Sequence, residues 1–270
     1  MTERVPDPLT NQRLTVDISA AVGGWPPPWP NVAELSSVLP AERWTLVGGL
    51  MTQLHTVHRG IGVVRPTNDV DIVLHIETSR GVPSVTATAL ENIGYRLQDA
   101  VDPRNNTAHR FVRGDSRVDL VAGTAEDDIV DVLISDHPAP TVIERLRGRD
   151  MVRIAGGTQA LRRTFNARLE IEPGELTTVS VPRAFGALIL KAAAYAADTR
   201  DRDRHLFDAA ALLACIEDPF AERQDFTGSD RRRLNILGEA LPEGHPAWRQ
   251  LPDSARAEAE AALRVLRTLA

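Results

Sequence analysis

From Asp69 to Ile76 the chain reads Asp-Val-Asp-Ile-Val-Leu-His-Ile, and such strict alternation suits only an extended strand. Successive strand side chains point to opposite faces. Asp69, Asp71, Val73 and His75 therefore share one face, and Val70, Ile72, Leu74 and Ile76 the other. The second face is wholly apolar and must be covered by a core. The first holds two carboxylates close together, which repel each other unless a cation intervenes. Magnesium, or manganese in its place, takes oxygen ligands and commonly combines one or two carboxylates with substrate phosphates. One short run thus predicts both a buried sheet and a metal site.

The flanking residues extend that reading. Trp44-Thr-Leu-Val47 is a β-prone run that stops at Gly48-Gly49, and Leu50 to His58 reads as a helix. Absent side chains between a strand and a helix let backbone N–H groups and the positive helix end approach a phosphate, although the same pair serves an ordinary tight turn. Asp119, within Arg117-Val-Asp-Leu-Val121, is a third acid on a later strand candidate, and would join the pair if its strand lies alongside. Lys191 interrupts the Ala-rich run Phe185 to Ala197, where it either snorkels to solvent or neutralises phosphate. Arg65 either pairs with an acid or meets a phosphate bidentately. His55 and His58 lack a third ligand in sequence and read as a polar helix face. Asp127, Asp128 and Asp131 read as an acidic loop.

Residues 1–40 are Pro-rich around Trp25-Pro-Pro-Pro-Trp29-Pro30, which predicts an extended arm packed through its tryptophans. Ser84 to Ile93 suits a helix capped by Ser84 and ended by Gly94. Strand candidates follow at residues 95–98, 108–112, 117–121, 129–134 and 151–155, with a polar loop at 99–107. After Pro182 the pattern turns helical, at 185–197, 203–216, 230–241 and 254–269. These elements predict an α/β (α+β) fold with a mixed sheet and flanking helices in residues 41–180, and a helical half in 181–270.

Composition narrows the function classes. With 43% hydrophobic residues a core needs no staples, and one cysteine, Cys215, excludes an internal disulfide and suits a reducing compartment. Residues 1–10 carry no apolar run, and Phe185 to Ala197 falls short of the roughly 20 residues that cross a bilayer, so a cytoplasmic protein without membrane contact is expected. The net charge of −6 repels phosphate backbones globally. Nucleic-acid contact would rest on local clusters: Arg145, Arg147 and Arg149; Arg162 and Arg163; Arg231, Arg232 and Arg233. No phosphate-loop, zinc-protease, paired Cys-x-x-Cys or serine-elbow pattern is present.

Leu46-Val-Gly-Gly-Leu50 followed by Arg65-Pro-Thr-Asn-Asp-Val-Asp71 resembles the glycine pair and Arg-x-Thr-x-Asp-x-Asp signature of the AbiEii/AbiGii-type nucleotidyltransferase toxins, the group that includes MenT proteins. His109-Arg-Phe111 and Val118-Asp-Leu120 are similar to later strands of that family. Lys191 and Arg204-His-Leu-Phe-Asp208 resemble its helical lysine and its Lys-Asp-x-x-Asp-like element, with His205 where an acid is usual. The resemblance spans roughly residues 43–215. It implies transfer of a nucleotide from a nucleoside triphosphate to RNA, such as a tRNA 3′ end, or to a protein, often under restraint by a cognate antitoxin. Carried over by residue, it implies Asp69, Asp71 and Asp119 as metal ligands and Gly48, Gly49, Arg65, Thr67 and Lys191 as nucleotide contacts. Asp208 would orient Lys191 or the base, with Asp201 and Asp203 as substitutes. An antibiotic-type nucleotidyltransferase, or a catalytically silent nucleotide- or partner-binding module, are the alternatives.

Overall fold

The computed structural model of the chain describes residues 13–62, 65–78, 80–99, 106–114, 127–136 and 144–268. Asp119, its strand candidate 117–121 and most of the polar loop at 99–107 lie outside the described residues.

The first layer of the fold forms around the alternating strand. In chain order the first elements are β1 (Thr15–Asp17), α1 (Trp29–Val38), β2 (Trp44–Leu46), α2 (Gly48–His58), β3 (Asp69–Leu74), α3 (Val82–Asn92), β4 (Arg96–Leu97), β5 (Thr107–Ala108), β6 (Arg110–Arg113) and β7 (Asp128–Ser135). The order β2-β3-β7-β6-β4 makes a mixed sheet, in which β3 and β7 are parallel and the other neighbours antiparallel. Val70 and Ile72 are fully buried, as the alternation requires. The helix over 82–92 starts from Gly81 at φ 73°, not from Ser84, because Pro83 already occupies its first turn. Gly94, at φ 96°, ends it as expected.

Short strands β8 (Arg145–Leu146), β9 (Arg149–Met151) and β10 (Arg153–Ile154) follow, and β10 adds parallel to the end of β7. After α4 (Gly157–Leu161) comes a hairpin that sequence reading missed, β11 (Thr164–Glu170) with β12 (Leu176–Pro182). Its buried residues alternate, Phe165, Ala167 and Leu169 facing Val179 and Val181 inward, so a period-two signal was present. β1 pairs with β11, and Trp29 opens helix α1, so part of the Pro-rich region is strand and helix rather than an extended arm. Pro30 sits in the first turn of α1, the position where a missing N–H costs least. The tryptophans do pack: the Trp25 and Trp29 rings lie 4.6 Å apart, and Trp29 Nε1 donates to Gln53 of α2.

The remainder is helical: α5 (Ala184–Ala197), α6 (Asp203–Leu213), α7 (Pro219–Gln224), α8 (Asp230–Ala240), α9 (Pro246–Arg249) and α10 (Asp253–Arg267). The Ala-rich α5 packs closely on α6, and α2 packs on α6, so the helices close over one side of the sheet. Cys215 is buried and its thiol is pushed up to about 12 by desolvation, which makes it inert. Among the described residues no helix is long and apolar enough to cross a membrane.

Candidate active site

Asp71 of β3 stands directly opposite Asp131 of β7, and Asp131 in turn opposite Arg110 of β6. Residues in register on neighbouring strands project from the same face, so one row of the sheet carries two acids and a guanidinium. Asp69, two residues before Asp71, completes a cluster in which one carboxylate oxygen from each acid lies within 4.8 Å of the others. Asp131 therefore does not belong to an acidic loop. It sits inside the apolar run Ile129-Val130-Asp131-Val132-Leu133, and a single acid in such a run was the signal that could have found it. The third carboxylate supplied by the described residues is Asp131.

The diglycine makes room for this cluster. Val47 N–H donates to Asp71 O at 2.9 Å, which brings the start of α2 against β3. Gly48 has φ +70°, and a Cβ there would lie 1.8 Å from Asp71 Oδ2. A Cβ on Gly49 would lie 2.6 Å from Thr67 Oγ1. Thr67 in turn donates to Asp69 Oδ1 at 2.6 Å, fixing that carboxylate. Burial first, then the charges of Asp69 and Asp131, push the Asp71 acid up to about 7 against the pull of Lys191 and Arg110. Asp131 accepts two bonds from Arg110, from Nε at 2.8 Å and Nη2 at 2.7 Å.

Lys191 and Asp208 meet across α5 and α6, Nζ to Oδ2 at 2.7 Å, both side chains buried. Arg65 grips the same carboxylate through Nε at 3.2 Å and Nη2 at 3.3 Å. Burial alone would raise the Asp208 acid, but Lys191 and then Arg65 outweigh it and hold it low. Arg65 thus pairs with an acid while still bordering the cavity. His205, at the position where an acid is usual, contacts Asp198 Oδ2 at 3.2 Å. Asp198 also accepts from the backbone of Arg200 at 2.8 Å and of Asp201, bonds that hold its acid down at about 2 together with His205 and Arg204. Asp201 and Asp203 are exposed on that turn and do not touch Lys191.

These groups border one cavity of about 510 Å³, with Gly48, Gly49, Thr67 and the three acids on the sheet side, and Lys191, Arg204 and His205 on the helical side; Arg153 also lines it. Other candidates fall away from it. His55 is buried and bonded to Pro182 O at 2.8 Å, whereas His58 is exposed, so the pair is neither a metal site nor a wholly polar face. Most of the arginine clusters are neutralised locally: Arg147 by Glu91, Arg149 by Asp99, Arg163 by Asp230.

No protein-family model matches the chain, and no curated protein matches it by sequence. Among solved structures, an antigenic nucleotidyltransferase-like protein from Paracoccidioides brasiliensis aligns over 87% of this chain and 91% of its own length, with a TM-score of 0.50 at 14% identity. The fold is nucleotidyltransferase-like. At that identity the likeness extends to architecture alone.

The donor set fits a hard divalent cation. Ligand oxygens around octahedral magnesium sit about 2.0–2.1 Å from the ion, so opposite oxygens are about 4.2 Å apart. Adjacent ligand oxygens are about 2.9 Å apart, so a cluster within 4.8 Å would draw its side chains inward to close on one ion.

Proposed function

We propose that the protein is a metal-dependent nucleotidyltransferase. The observation that carries this reading is the row Asp69, Asp71 and Asp131, which shares a cavity with the buried Lys191. In the reaction, an acceptor hydroxyl oxygen bonds to the α-phosphorus of a nucleoside triphosphate as its proton passes to water, the α–β bridging bond breaks, and pyrophosphate leaves with the electron pair. Asp69, Asp71 and Asp131 would hold magnesium or manganese, which supplies charge neutralisation at the phosphates and a lowered pKa at the attacking hydroxyl.

The chain's own groups do the positioning. Thr67 turns Asp69 toward the cavity, and Arg110 holds both oxygens of Asp131 level with Asp71. The amides at the start of α2, opened by Gly48 and Gly49, favour a phosphate there. Lys191 neutralises triphosphate charge, with Asp208 and Arg65 fixing its ammonium. The AbiEii/AbiGii resemblance supports a toxin that modifies RNA, such as a tRNA 3′ end, or a protein acceptor, and that a cognate antitoxin restrains. Arg153, which has no ion-pair partner among the described residues, and the weakly paired Arg204 on the cavity lining suit a polyanionic acceptor.

The test is incubation of each labelled triphosphate with magnesium and either total tRNA or aminoglycosides, using wild type and Asp69→Asn. Label in tRNA, lost in the variant, supports the full reading, and label in the aminoglycoside moves the acceptor to small molecules. Turnover of no triphosphate by folded wild type refutes the enzyme.

A further inference from the structure

β3 and β7 run parallel from the carboxylates toward a second cavity at their carboxyl ends, where Leu74 to Thr78 and Ser135 form one wall. Outside the carboxyl ends of parallel strands is where open α/β sheets place ligands. This cavity, of about 540 Å³, lies within the range of small-molecule sites. Three guanidiniums line it, Arg13, Arg162 and Arg183, and among the described residues the one acid on its wall is the exposed Glu77. In a chain of net charge −6 that local imbalance runs against the whole.

Glu222 lies near enough to Arg183 for the two charges to interact, although no ion pair joins them. Among the described residues none of the three has a carboxylate within ion-pair distance. Arg13 is half-buried, and its side-chain partner is the hydroxyl of Ser180 at 3.1 Å. Desolvation holds its guanidinium below the usual range despite the nearby charge of Glu42, so a cation is set into the wall without a bonded counter-charge. Arg162 and Arg183 are exposed at the rim. A planar guanidinium presents paired N–H groups matched to phosphate oxygens.

We infer that this cavity binds an oligophosphate anion, either inorganic pyrophosphate or the phosphate chain of a nucleotide. A nucleic-acid backbone lying on the surface would meet Arg162 and Arg183 but not the recessed Arg13. The site stands apart from the carboxylate cavity, and its assignment does not depend on transfer chemistry.

Calorimetric titration of the full chain in EDTA tests it, because without a divalent cation the three acids of the other cavity repel phosphates. Pyrophosphate and ADP are titrated separately into wild type, Arg162→Glu/Arg183→Glu and, as a control at the other cavity, Arg153→Glu/Arg204→Glu. Loss of two charge-assisted contacts should weaken binding about tenfold or more in the first variant and leave the second near wild type. Tighter binding of pyrophosphate identifies the inorganic ligand, and tighter binding of ADP a nucleotide. Arg162→Gln/Arg183→Gln replaces the charge-reversed variant if circular dichroism shows that it misfolds. No binding by wild type, or weakening only in Arg153→Glu/Arg204→Glu, overturns the inference.

Discussion

The two ends of strand β3 solve opposite electrostatic problems. At one end Asp71 faces Asp69 and Asp131 in a shared cavity, and its acid is pushed up to about 7. At the other, His75 is buried but fully bonded: Nδ1–H donates to Glu42 O at 2.7 Å, so Nε2 accepts from Thr45 Oγ1 at 2.7 Å. Thr45 Oγ1 then accepts from Ser180, and Ser180 from Arg13, which closes a chain of hydrogen bonds from the strand to a guanidinium. Burial is the first cause that holds His75 down at about 4, and neutrality is what the chain is built for. One end is satisfied as it stands. The other stores repulsion that a proton or a bound metal ion relieves.

That contrast has opposite signs in pH. A raised carboxyl costs the fold nothing while protonated, so ionisation of Asp71 withdraws stability as pH climbs from its ordinary value near 4 through about 7. A depressed imidazole does the reverse: the unfolded chain binds a proton near 6.5 that folded His75 refuses until about 4, so stability is lost as pH falls across that window. His55, held down to about 4 by burial, adds to the second effect.

The largest expected change comes from Asp71→Asn. It should lower transfer about a thousandfold, a loss of about 4 kcal/mol in barrier lowering. In EDTA above pH 7 the same variant should be more stable than wild type by about 4 kcal/mol, with no difference below pH 4. Urea unfolding across pH, with and without magnesium, reads both. Stability that is lower than wild type at every pH would show that the acids are not in conflict.

Next in size, Asp208→Asn should cost about 3–5 kcal/mol in urea unfolding, because it leaves the buried Lys191 ammonium without its carboxylate. A cost below about 1 kcal/mol would mean that water reaches the lysine freely. Third, His75→Gln should flatten the acid side of the stability curve, removing about 3 kcal/mol of the loss between pH 6.5 and 4 while His55 keeps the rest. Equal slopes in variant and wild type would break the comparison at its neutral end.

Which of these residues could be read from sequence follows from what each depends on. Asp69, Asp71 and the diglycine lie within one strand–turn–helix stretch, where period two and missing side chains speak locally. Lys191 stood out as a charge in an apolar helix and Asp208 through the family resemblance alone, although their 2.7 Å contact is a product of helix packing. Asp131 was misread because its role depends on the parallel register of β3 and β7, a long-range fact, and because Asp127 and Asp128 beside it suggested solvent. The hairpin β11–β12 was missed although Phe165, Ala167 and Leu169 alternate with Asn166, Arg168 and Glu170, the pattern of a half-buried strand.

The smallest expected change sharpens the comparison most. Thr67→Val keeps the shape of the side chain but removes the donor to Asp69 Oδ1 at 2.6 Å. Asp69 then keeps its charge and place on β3 and loses only its orientation. Loss of an outer-shell partner of this kind weakens metal affinity about 10–100-fold. If the acid end is a metal site, magnesium titrations of transfer should shift by that factor while the rate at saturating magnesium stays close to wild type, because added cation restores the arrangement. If the three acids merely crowd, the magnesium dependence of wild type and variant will coincide, and the repulsion at Asp71 is then a property of the fold rather than of a reaction.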